Sequence, residues 1–261
     1  MLYGTPPLAR QLEHARLNRF LATLSPHDFS LLAPRLRTIA LERGVMLHDV
    51  GDEIEHVYFP QTGMVSLVAV MKSGATVETA TIGRAGVIGA SAGLGARSAV
   101  ARAIVQLPGT AASISASQFH AAAAQSHAIR DVIARYNDLL LAQAQQSVAC
   151  NALHALEARL CRWLLQAHDC IDGDIIALTQ EFLGQMLGVR RTTVTIAAQL
   201  LQNAGLIGYR RGHIRVLDRA ALEDISCECY AVTRQNADKV FSGRPSLGSG
   251  LIHPAPAAPM K

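Results

Sequence analysis

Residues 186–201 read Met-Leu-Gly-Val-Arg-Arg-Thr-Thr-Val-Thr-Ile-Ala-Ala-Gln-Leu-Leu, and the polar part of this run suits recognition rather than core building. Arg190 and Arg191 each offer a rigid fork of N–H donors that pairs bidentately with a guanine edge or a phosphate. Thr192, Thr193 and Thr195 add hydroxyls that donate to phosphate and methyls that meet thymine. The wider window agrees. Between Ile176 and Val216 stand Arg190, Arg191, Arg210, Arg211 and Arg215 against one acid, Glu181, so this stretch carries +4, the net charge of the whole chain. A merely solvated face interleaves acids with its bases. A basic surface on a near-neutral protein is the footprint of a polyanion site.

The other candidate chemistry is thiol and imidazole. The five cysteines, Cys150, Cys161, Cys170, Cys227 and Cys229, are odd in number and lie in the C-terminal half, which argues against a disulfide framework. Cys227-Glu228-Cys229 is half of a metal or redox site, yet no second Cys-x-Cys or nearby His pair completes it in the sequence. Buried, idle thiols are the favoured reading. No metal ligand and no catalytic residue is therefore assigned, and the cofactor is unknown. A rival reading is a cupin-like β-barrel metalloenzyme with an accessory helical domain. His48 and His56 are the histidines available to it among the early strands, and no His-x-His pair is there to hold a metal. The non-enzyme reading is preferred.

The elements that must position the arginines follow from periodicity. Thr179 caps a helix that buries Phe182, Leu183, Met186 and Leu187, and Gly188 supplies a sharp turn. A second helix buries Val194, Ala197, Ala198 and Leu201, spaced i, i+3, i+4 and i+7. That is a helix-turn-helix whose second helix enters the major groove N-terminus first. Two short strands around Arg211-Gly212 add a basic wing. The expected DNA contacts are Thr179, Gln180, Arg190, Arg191, Thr192, Thr193, Thr195, Arg210 and Arg211.

Upstream, residues 37–114 alternate short apolar runs with glycine, and Ser73-Gly74 reads as a hairpin turn. This is a barrel or sandwich texture, preceded by a helical segment in which Ser25-Pro26 starts a helix. From Ser117 to His168 glycine and proline are absent. The stripe Ile129, Val132, Ile133, Tyr136, Leu139, Leu140 and Gln143 marks either a dimer seam or a helix covering its own domain. LHALEARLCRWLLQ reads as one amphipathic helix, broken by Asp172-Gly173-Asp174. The Pro-, Gly- and Ser-rich end is expected to be a disordered tail. No run reaches the ~20 apolar residues of a membrane span and no signal peptide is evident, so a cytoplasmic location is expected.

The order β domain, long helix, winged helix-turn-helix resembles the Crp/Fnr family of bacterial transcription regulators. The match is strongest over LTQEFLGQMLGVRRTTV, where Thr179, Gly184-Gln185 and Arg191 before Thr193-Val194 meet the family motif. GVIGASAGLGARSAVARA resembles the phosphate-binding cassette of cyclic-nucleotide domains. The resemblance implies an α+β chain. A β-roll sensor spans 17–125, a dimerisation helix 126–148 and a winged helix-turn-helix 149–230, with the tail at 241–261. It further implies a homodimer that binds double-stranded DNA, with RNA polymerase as a partner if it activates. Gly89, Arg97 and Ser98 are the candidate effector contacts, although Arg97-Ser98 fit a plain structural role equally well. Ala90 stands where the cassette has its ribose-binding Glu, and the base-contacting Thr-Ser pair of the family's cAMP receptor falls on Ala144-Gln145. An effector other than cAMP is therefore expected. The N-terminal cysteines of Fnr-type iron–sulfur members are missing, since no Cys precedes residue 150.

Overall fold

The computed structural model describes residues 13–210 and 212–242. After a helical stretch at residues 13–15 come two short helices, α1 (Arg19–Thr23) and α2 (Pro26–Leu32). Ser25 caps α2 by accepting from the Asp28 amide, with Pro26 at its first position, as the sequence predicts. Seven antiparallel strands follow in two sheets. β1 (Arg37–Leu41), β7 (Gly109–Ser115) and β3 (His56–Pro60) form one, in the order β1-β7-β3. β2 (Met46–His48), β6 (Arg102–Leu107), β4 (Met64–Val70) and β5 (Thr76–Ile82) form the other, in the order β2-β6-β4-β5. Gly74, at φ 83°, turns the chain between β4 and β5.

Between the sheets lie Leu41, Val65, Ile82, Ile88, Val105 and Ala111. The outer side of the three-stranded sheet is closed by Phe20, Phe59, Phe119 and Tyr136, whose rings contact one another at tilted and edge-on angles. The outer side of the four-stranded sheet is also covered. Met64, Val68 and Leu107 pack into the core of the C-terminal helices. Period-two alternation on β4 therefore gives no clean polar face, because both faces are buried.

The helical region is not continuous. α3 (Ala116–Gln125) ends at Ser126, which caps α4 (His127–Leu153) by accepting from the Ile129 amide. A second break, at His154-Ala155, separates α4 from α5 (Leu156–His168). LHALEARLCRWLLQ is thus split between two helices, correcting the single helix expected there. Ile129, Val132, Ile133, Tyr136 and Leu139 are buried within their own chain against the β-roll. Of the two readings left open, this stripe covers its own domain.

β8 (Ile175–Ile176) then joins β10 (His213–Val216) and β9 (Ile207–Arg210) in a small sheet ordered β8-β10-β9. Between β8 and β9 stand α6 (Gln180–Leu187) and α7 (Arg191–Asn203). α8 (Arg219–Ile225) and α9 (Cys229–Phe241) close the described chain. α9 returns to the N-terminal region: Arg19 pairs with Asp238 at 2.8 Å, and the Phe241 ring sits 6.3 Å from Tyr136. Phe241, expected to open the tail, is the last residue of α9, because Tyr136 gives its ring a place to pack. The rest of the expected tail, from residue 243 on, lies outside the described residues. Among the described residues no helix is long and apolar enough to cross a membrane.

Candidate nucleic-acid interface

The helix-turn-helix forms as its sequence dictates. Thr179 caps α6 through its hydroxyl, which accepts from the Phe182 amide at 3.2 Å. Gly188 ends α6 at φ 66°, the left-handed conformation that a Cβ disfavours. The buried Arg159 donates to the Leu187 carbonyl and so caps the same helix end from α5. Val194, Ala197, Ala198 and Leu201 face the core, where alanine lets α7 lie close to α6 and α5.

The opposite face of α7 is open. Arg190 is the N-cap residue, Arg191 the first helical residue, and both are exposed together with Thr192 and Thr193. The backbone amides of the first turn point the same way and add partial positive charge. Arg191 also lines a cleft with Thr179, Gln180, Glu181, Tyr209 and Gly212, between the start of α6 and the wing. Arg210 and Arg215 are exposed on β9 and β10. Arg211 lies outside the described residues.

Three of the expected contacts, Thr179 as the α6 cap and the pair Gln180 and Thr195, are engaged within the protein. The Thr195 hydroxyl lies 2.8 Å from Gln180 Oε1 and 3.0 Å from the Arg191 carbonyl. The pair ties α7 to α6 rather than projecting outward. Ile196 and Leu200, which the expected contacts leave out, are 64% and 52% exposed on the same face as Thr192 and Thr193. Their signal was present: they repeat at i+4 out of phase with the buried stripe, where large apolar residues have no core to fill.

At the other end, a cavity of about 260 Å³ opens beside the cassette. Gly89 lines it, with Val87, Ile88, Ala90 and Leu67 from the roll and Asn137 and Leu140 from α4. Arg97 and Ser98 do not. They sit exposed on the neighbouring loop, where the Arg97 carbonyl accepts from the Ile54 amide and Ser98 bridges Glu53. The residues of α4 that reach the cavity are Asn137 and Leu140, one to two turns before Ala144-Gln145.

The two ends are joined by a polar contact on the four-stranded sheet. A register shift between Leu67 and Val68 leaves Thr79 as an extra residue and aims Glu78 outward beside Ser66. The buried Glu78 carboxylate accepts from the Ser66 hydroxyl and, at 3.1 Å, from the Trp163 indole N–H on α5. Burial pushes its pKa up to about 7, against the opposing pull of these hydrogen bonds and of Arg162.

The comparisons follow this division. The Crp-like helix-turn-helix domain family matches residues 158–225, and the cyclic nucleotide-binding domain family matches residues 38–126, together more than half of the chain. No curated protein sequence matches it. Among solved structures, FixK2 from Bradyrhizobium japonicum has a TM-score of 0.63 at 17% identity, covering 74% of this chain and 98% of that one. A CRP-family transcriptional regulator from Thermus thermophilus reaches 0.59 at 20% identity, covering 72% and 96%. The c-di-GMP-responsive global regulator CLP of Xanthomonas campestris reaches 0.58 at 14% identity, covering 74% and 100%. At such identities these likenesses speak for the fold. With a cyclic-nucleotide-type roll, a long helix and a Crp-like helix-turn-helix following one another in this order, the chain belongs to the Crp/Fnr family of transcription regulators.

Proposed function

We propose that the protein acts as a homodimer that reads a two-fold DNA site with the N-terminal turn of α7, under control of an effector other than cAMP. The observation that carries the reading is the exposed start of α7: Arg190, Arg191, Thr192 and Thr193 share one open face while the other face is packed. A helix presented this way reaches base edges with its first turn, and the exposed Arg210 and Arg215 of the wing reach phosphate.

The dimer seam moves to a different face of α4 from the one expected. With Val132 and Leu139 in the core, the free stripe runs through Ala134, Asp138, Leu141, Gln145, Val148 and Ala152. These positions alternate by four and three residues, the spacing of a two-stranded seam. Leu141 and Val148 are 59% and 71% exposed in the single chain. RNA polymerase is a partner if the bound protein activates.

The cavity, mostly apolar with His48, Ser91 and Asn137 as its polar lining, supports the choice of effector. Ala90 offers no acceptor to a ribose hydroxyl, and Arg97 lies off the cavity wall. The two family matches do not favour the metalloenzyme alternative.

The test is a genome-wide map of DNA bound in the native host. The expected result is an inverted repeat whose half-sites lie about one helical turn, ~34 Å, apart. Bound fragments sharing no repeat would overturn the reading.

A further inference from the structure

Cys227-Glu228-Cys229 is completed by residues the sequence places far away. The last turn of α4 brings Cys150, and the break after it brings His154, against the segment that begins α9. The Cys150 and Cys227 sulfurs are 3.5 Å apart, and Cys229 Sγ is 3.5 Å from His154 Nδ1. All four donor atoms lie within 4.8 Å of one another. We propose that Cys150, His154, Cys227 and Cys229 form a mononuclear Cys3His metal site of the zinc type.

The spacing selects the occupant. A tetrahedral ion with Zn–S of about 2.3 Å and Zn–N of about 2.0 Å holds its donors ~3.5–3.8 Å from one another. The Cys150–Cys227 and Cys229–His154 pairs already sit at that separation. A multi-iron cluster holds its cysteines farther apart, and soft thiolates with one imidazole disfavour magnesium or calcium.

The surroundings are built for a bound cation as well. His154 turns Nδ1 toward the thiols while Nε2 lies 3.2 Å from a Glu228 carboxylate oxygen, the partner that orients a metal-ligating imidazole. Gln146 donates to Cys229 Sγ at 3.0 Å, as a donor to a ligand thiolate does. Three thiolates and a divalent ion leave one negative charge, and the buried guanidiniums of Arg159 and Arg162 act on Cys150 from α5. Four protein donors leave no open position, so the site is structural. It ties the end of the long helix, the break at 154–155 and the start of α9 into one joint.

The experiment uses the full chain purified without chelator. Elemental analysis should find close to one zinc per chain. Replacement by Co2+ should give the strong visible bands of a tetrahedral ion and thiolate-to-cobalt charge transfer in the near ultraviolet. C229S should lose that charge-transfer intensity. Because C229S risks misfolding, Glu228→Gln is the second variant: its carboxylate is exposed, and the loss of the orienting bond should weaken zinc affinity ~10–100-fold at unchanged stoichiometry. Protein with under a tenth of an equivalent of metal and no tetrahedral cobalt spectrum would overturn the proposal. So would a Cys150–Cys227 disulfide in the purified chain, several irons with sulfide per chain, or an E228Q variant with wild-type affinity.

Discussion

The helix-turn-helix end and the β-roll end of the molecule hold their site chemistry to different degrees. At the helix-turn-helix end, the glycine turn, the threonine cap and the arginine start of α7 occupy the positions their types require. At the β-roll end the frame is equally regular, yet the cassette's charged groups are not at the cavity: Ala90 lines it, Arg97 stands outside it, and its polar lining is His48, Ser91 and Asn137. The difference teaches that a β-roll keeps its shape through strand pairing and core packing, without the cassette's charged side chains. Its ligand chemistry sits on a few side chains that fold stability does not need.

The long helix between these ends gives the severest test. Charging its inner stripe with Val132→Glu and Leu139→Glu should unfold the β-roll end, at about 3 kcal/mol or more per site, because each charge enters a packed core. Charging the outer stripe with Leu141→Glu and Val148→Glu should leave folded monomers whose operator affinity falls roughly 100-fold, as two-site attachment is lost. Sedimentation and circular dichroism separate the two outcomes. Folded monomers from the inner pair would reverse the assignment of faces.

The polar bridge joining the ends predicts a pH effect of similar size. The Glu78 pKa rises on folding from 4.5 to about 7, so the folded chain holds a proton that the unfolded chain releases between these values. Stability from this group is therefore complete below pH 4.5 and is lost as pH rises through about 7, by roughly 3 kcal/mol in all. Glu78→Gln keeps an acceptor for Trp163 and a donor for Ser66, and should flatten denaturation midpoints across this window. A wild-type slope persisting in E78Q would place the titration elsewhere.

A smaller effect separates the arginines. Arg191→Ala should cost ~1–3 kcal/mol on the operator and relax preference at one base pair per half-site. Arg210→Ala should weaken operator and scrambled duplexes alike and reduce the salt slope by ~1 for each phosphate it no longer neutralises. Equal losses on both duplexes in R191A would make it a phosphate clamp. The smallest expected effect is none: millimolar cAMP should leave Tm and operator affinity unmoved, and a cAMP-induced rise in both would restore the ribose site that Ala90 lacks.

What the sequence revealed follows the range of the interactions. The Thr179 cap, the Gly188 turn and the Val194-to-Leu201 stripe are local, and each reads directly from neighbouring residue types. Which partner covers an apolar stripe is not local. Ile129 through Leu139 was equally consistent with its own β-roll and with a second subunit until the strands were placed. The cysteines were harder still, because Cys150 and Cys227 meet across 77 residues of intervening chain. The Thr195–Gln180 bond was hidden for another reason: a threonine near a helix start serves DNA or its neighbour helix with the same side chain.

One consequence concerns α4 as a moving part. Asn137 and Leu140 supply the part of the cavity wall that comes from α4, and Leu141 next to them faces outward. Side chains ~5 Å from a helix axis travel ~2 Å when the helix turns by about 20°. A molecule that fits the cavity only after such a turn would carry Leu141 and Val148 the same distance around the axis. Occupancy and subunit registration would then be read on a single shaft, like two cams cut on one rod.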